Sequence, residues 1–132
     1  WTSVPPVQPA GMTKNGVYTL GNTSRKIVTG WSVRSGYSGT IISSNRIQVV
    51  GSGTVEVFAQ INFAGRGFNS VQDRWIVHNG VDKATAEGQS VGITATFTVS
   101  DGDFIWIDAK ASSITLNYDD IAATSYVTVT PV

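Results

Sequence analysis

The chain has 132 residues, 41% of them apolar and 14% charged, with nine basic and nine acidic side chains and a formal net charge of zero. That length and apolar content suit one domain with a real core and exclude a disordered chain. The densest basic spot is Arg25-Lys26, too small a footprint for nucleic acid, and the absence of cysteine excludes disulfides, thiolate zinc and thiol catalysis.

No apolar run approaches the ~20 residues that span a bilayer, so no membrane insertion is expected, and no signal peptide is visible. The chain starts at Trp1 and its only methionine is Met12. It is therefore expected to be a processed product or part of a longer chain. Residues 1–15 hold Pro5, Pro6 and Pro9. Proline fixes φ and removes a donor, so this segment reads as an extended arm or linker, and the domain as residues 16–132.

From Gly16 onward short apolar-polar runs alternate between Gly, Asn, Ser and Asp breaks. Strict alternation marks half-buried strands. Strands are predicted over 17–20, 26–31, 40–42 and 46–50. Residues 54–63 carry the clearest pattern. Val55, Val57, Ala59, Ile61 and Phe63 share a core face, and Phe58 interrupts the polar face opposite. Residues 64–70 read as a glycine-rich surface loop. A strand over 74–78 ends at Asn79-Gly80, a hairpin signal. Residues 82–89 read as a loop with room for one helical turn. Strands over 91–99, 104–111 and 125–132 follow, the last with Val127 and Val129 facing inward. No helical period appears. Many short strands predict an all-β sandwich or barrel. In residues 104–111, Phe104 and Trp106 sit on an otherwise polar face with Asp108 and Lys110. Aromatics there are expected at a subunit interface, together with Phe58.

The stretch Val99-Ser100-Asp101-Gly102-Asp103-Phe104-Ile105-Trp106-Ile107-Asp108 resembles the signature of C1q domains. Residues 47–57, with Gly51 before an alternating strand, the Asn-Gly ending of residues 74–80, and the closing strand 126–132 resemble that family in order and spacing. The resemblance covers roughly residues 46–132. It implies a C1q/TNF-like jelly roll of two antiparallel sheets that forms a homotrimer. Val55 and Val57 stand where the family commonly has aromatics, and no collagen-like stalk is present. Stalkless, Thr-, Val- and Gly-rich modules of this kind resemble phage virion proteins of tails, fibres and head decorations.

His78 is the only histidine and no nucleophile motif accompanies it, so a structural or surface histidine is expected and an enzyme is not. Asp119 and Asp120 are either calcium ligands, as the resemblance to some C1q-like trimers suggests, or a solvated turn. No other cofactor is expected. Gly65-Arg66-Gly67 lacks the spacing of a phosphate loop. It reads as an exposed tip, where Arg66, Phe68 and Asn69 are candidate partner contacts, as is Tyr37 in the glycine-rich stretch 35–39. Trp31 is expected in the core, and any exposed Trp could stack on a sugar. The leading expectation is a trimeric, non-enzymatic virion module, attached to other virion proteins through its N-terminal arm and contacting host-surface glycans. The rivals are a secreted C1q/TNF-like ligand or lectin and, least favoured, a carbohydrate-active enzyme.

Overall fold

The computed structural model describes residues 5–20, 24–64, 71–112 and 120–132. Among them it contains strands and turns and no helix. The strands are β1 (Ala10–Lys14), β2 (Tyr18–Thr19), β3 (Lys26–Ile27), β4 (Trp31–Val33), β5 (Ile41–Ser43), β6 (Arg46–Gln48), β7 (Gly53–Ala64), β8 (Val71–His78), β9 (Val81–Glu87), β10 (Ser90–Val99), β11 (Phe104–Ser112), β12 (Asp120–Ile121) and β13 (Tyr126–Pro131). They form two antiparallel sheets, as expected of a TNF-like jelly roll.

In the first sheet β7 pairs β10 along one edge, and β13 followed by β12 along the other. β1 lies between β13 and β4, and β12 also pairs β2. In the second sheet the order is β5-β6-β11-β8-β9, with β3 pairing β11 beyond β6. The pattern seen in the sequence determines which face is buried. Val55, Val57, Ala59 and Ile61 of β7 are fully buried, and so are Ile105, Ile107, Ala109 and Ala111 of β11. Both rows join one core closed by Met12, Leu20, Val127 and Trp31. A core of this size supplies most of the stability, at about 1.5–3 kcal/mol per buried large aliphatic side chain.

The Asn79-Gly80 hairpin forms as the sequence predicts. Both residues have positive φ, 47° and 87°, the requirement of a tight turn that matches strand twist. Ser44 and Asn45 make a second two-residue turn with φ of 51° and 64°, joining β5 to β6 in register Ser43 to Arg46.

Two segments differ from the sequence expectation. Residues 82–89, expected as a loop, lie largely in β9. Its side chains Asp82, Thr85 and Glu87 are exposed while Ala84 and Ala86 pack on the core. An edge strand with alanine as its only inward residue shows little hydrophobic alternation. Residues 10–14, expected in the N-terminal arm, form β1 inside the first sheet. The preceding residues are bound too. Val7 is buried, the Gln8 N–H donates to the Val50 carbonyl at 2.8 Å, and the Ser52 N–H donates to the Pro5 carbonyl at 3.0 Å.

Candidate functional site

The two outer faces of the sandwich differ in chemistry. On the first sheet, β7 presents Phe58, Gln60 and Asn62, β13 presents Tyr126 and Thr128, and β10 presents Thr94, Thr96 and Thr98. Glu56 is the one charged side chain projecting outward from these strands. A stripe of rings crosses them. The Phe58 and Tyr126 centroids are 5.9 Å apart at 47°. Arg34, just past β4, lays its guanidinium 4.0 Å from the Tyr126 ring and donates to the Thr13 hydroxyl at 3.1 Å. Two glycines make room. A Cβ on Gly92 would meet the Phe58 ring at 2.9 Å, and one on Gly11 would meet the Tyr37 ring at 2.9 Å. Tyr37 therefore lies on this face and extends the stripe toward β4. Phe58, Tyr126 and Tyr37 are each half-buried in the single chain.

The second sheet's outer face carries the charge. Arg25 donates to both oxygens of Asp82 at 2.5 and 3.0 Å and through Nε to Asp108 at 2.8 Å. Its guanidinium also lies 4.1 Å from the Trp75 ring. The hydrogen bond with Asp82 is the main reason the Arg25 pKa is raised and the Asp82 pKa lowered. The other Asp108 oxygen accepts the Trp106 indole N–H at 3.1 Å. Arg46 covers the remaining aromatics, 4.1 Å from the Phe104 ring and 5.7 Å from Trp106. Val77 faces outward here, opposite Trp106, yet is 2% exposed. Trp75 and Phe104 thus have cover within their own chain, while Trp106 has Arg46 at its side and is half-buried.

Phe58, Phe104 and Trp106, expected from the sequence to share one interface, are not brought together. Phe58 is on the outer face of the first sheet, and Phe104 and Trp106 are on the outer face of the second. Of the candidate loop residues, Tyr37 joins the Phe58 stripe, while Arg66, Phe68 and Asn69 lie outside the described residues. Asp120 is buried in β12, opposite Thr19 and Ala64, and Asp119 lies outside the described residues. The described residues contain no group of three or more metal-ligating side chains and no cavity. Tyr126, Arg34, Arg25 and Arg46 were missed from sequence. Tyr126 had a signal, because inward Val127 and Val129 put it on the outer face. The arginines had none, since their ring partners are remote in the chain.

His78 is a bound histidine. Its Nε2 is 2.8 Å from Asp103, and its ring stacks on Phe97 at 4.9 Å. Burial raises the Asp103 pKa, but the bonds from the Ser100 N–H, His78 and Asn79 outweigh it and hold the carboxyl below its ordinary value. A carboxylate with a depressed folded pKa adds stability above its unfolded pKa, about 3.9. That stability is lost as pH falls through the folded value. Asp103→Asn is expected to cost about 1–2 kcal/mol at neutral pH and nearly nothing at the acid end. Urea midpoints at the two pH values check this. Equal losses at both would refute the electrostatic role.

The order of strands and the two opposed sheets define a TNF-type jelly roll. A solved structure, Eiger TNF from S. frugiperda, matches it with a TM-score of 0.66 over 97% of this chain and 94% of that one, at 10% sequence identity. At that identity the likeness concerns the fold alone. No family model and no curated protein matches the sequence. No helix among the described residues is long and apolar enough to cross a membrane.

Proposed function

We propose that the chain is a non-enzymatic binding and structural module that assembles as a homotrimer through the outer face of the first sheet. The observation that carries this is the contrast between the two outer faces. Interface centres are depleted in charge and enriched in aromatics and arginine. The first sheet offers Phe58, Tyr126, Tyr37 and Arg34 among threonines and amides, with Glu56 the only charged residue of β7, β10 and β13. The charged second face is the one suited to remain in water. Phe104 and Trp106 then belong to the open face rather than to the assembly. A trimer is also what the resemblance to C1q/TNF-like domains implies.

The setting we favour is a phage virion, as a minor tail, fibre or head-decoration component. It rests on the stalkless, Thr-, Val- and Gly-rich character of the chain and its closing Thr128-Val129-Thr130-Pro131-Val132. The second reading, a C1q/TNF-like soluble ligand, is what the resemblance of residues 46–132 to that family also allows. Gold-labelled antibody against the domain separates the two. Decorated particles support the virion setting, and recovery only in cell-free medium supports the ligand.

Sedimentation equilibrium tests the assembly. The expected mass is three times the 14.0 kDa of the chain. A monomer across the micromolar range would overturn the reading, because a half-buried aromatic stripe would then have no partner copy.

A further inference from the structure

We propose that Arg46, Phe104 and Trp106 form a receptor for a carboxylate-bearing saccharide on the outer face of the second sheet. The proposal rests on the assembly reading only in requiring that this face stay open.

β6 places the cation. Ile47 is fully buried, so its neighbours Arg46 and Gln48 project outward. Gln48 lies opposite Phe104 in the ladder. The Arg46 guanidinium is held over the Phe104 ring at 4.1 Å, and no carboxylate among the described residues makes an ion pair with it. Its Nε is buried without a hydrogen-bond partner, which leaves the two terminal nitrogens as the pair that can reach a ligand. Arg25, on the same face, is different. Its donors are spent on Asp82 and Asp108. Stacking thus fixes the plane of the Arg46 guanidinium while consuming none of its terminal N–H groups. A planar, unspent fork of donors matches a carboxylate in bidentate geometry.

The surroundings select what carries that carboxylate. Trp106 is half-buried beside Arg46, 5.7 Å from it, and is oriented by its indole bond to Asp108. An oriented indole accepts the apolar face of a pyranose, and the Gln48 amide adds a donor and an acceptor. Ile41, opposite Gln48 in β5, is 45% exposed and extends the apolar floor. Among the described residues the face holds no cavity. It suits an extended saccharide lying across strands, not an enclosed small molecule.

The test titrates the chain with a short oligogalacturonate, using its fully methyl-esterified form as the neutral control and polyglutamate as the acidic peptide. Tryptophan fluorescence and calorimetry are the readouts. The proposal expects the oligogalacturonate to bind at least about tenfold more tightly than the ester. It expects Arg46→Gln to abolish that preference, with Arg46→Lys intermediate. Equal affinity for acid and ester, a preference retained in Arg46→Gln, or binding of polyglutamate alone would each overturn it. The mass of every sample is measured in parallel. A monomer that still prefers the acid would sink the assembly reading and leave this proposal standing. A trimer without that preference would do the reverse.

Discussion

Replacing Arg74 is expected to destabilise the domain more than any other single polar substitution. Arg74 projects inward from β8 and is 0% exposed. It donates to the Ile61 carbonyl at 3.1 Å, the Ala86 carbonyl at 3.3 Å and the Gly88 carbonyl, and lies 4.9 Å from the Phe63 ring. One guanidinium thus ties β7 of the first sheet to β9 and the following turn of the second. Burial lowers its pKa, with Asp73 opposing, but a guanidinium stays charged in any case. Two effects compete in a substitution. Removing the cation relieves its desolvation, which can make replacement of buried ions neutral or favourable. Against that, three carbonyls lose a donor, and a buried unsatisfied group costs about 1–3 kcal/mol. The loss at the carbonyls outweighs the relief, because all three are acceptors that cannot pair with one another and an apolar side chain brings no donor. Arg74→Ala, which adds a cavity, is expected to lose about 4 kcal/mol. Arg74→Met, of similar length, is expected to lose about 2 kcal/mol. Urea unfolding measures both. A methionine variant as stable as the parent would show that desolvation wins.

The second large effect is at Gly51. Its φ is +90°, and an added Cβ would lie 2.2 Å from the Pro6 carbonyl oxygen and 2.6 Å from its carbon. The obstacle is backbone and cannot rotate away. Gly51→Ala is therefore expected to lift residues 5–8 off the domain. That breaks the bonds Gln8 to Val50 and Ser52 to Pro5 and exposes Val7, 4% exposed in the parent. The expected loss is about 3 kcal/mol, from the strained conformation, the hydrogen bonds and the exposed valine. Gly80 is the control. Its φ is +87° but nothing lies within 4 Å of an added Cβ, so alanine there should cost only about 1 kcal/mol. Hydrogen exchange at Gln8 and Ser52, whose N–H groups make the two bonds, reads the release directly. Similar losses at both positions, with those amides still protected, would refute the clash.

Gly51 and Arg74 also mark where sequence reasoning stops. The long strands β7, β10 and β11 were legible because each alternates against one core, and Asn79-Gly80 was legible because its turn needs two positive φ values. β1 was not, since Ala10, Gly11 and Met12 follow three prolines and alternate weakly. It is a strand because β13 and β4 flank it. β9 was hidden for a related reason. Its Asp, Lys, Ala and Glu content suits a helix, and pairing with β8 overrides local preference. For the sites, alternation put Phe58, Phe104 and Trp106 on outer faces. It could not say that these faces belong to opposite sheets, because no local pattern encodes which sheet a strand joins. The cations over the rings were invisible for the same reason. Arg34 meets Tyr126, and Arg25 meets Trp75 and Asp108, across long sequence separations.

The assembly face is tested most directly by the mass of Phe58→Glu, measured by sedimentation beside the parent chain. The Phe58 ring lies over Gly92 and against Tyr126 on the first sheet's outer face. A carboxylate there keeps the core intact and puts one charge per copy into the proposed contact. The account predicts a trimeric parent and a folded, monomeric variant. A Phe58→Glu variant that sediments as a stable trimer would contradict it, because the assembly would then have to use another face.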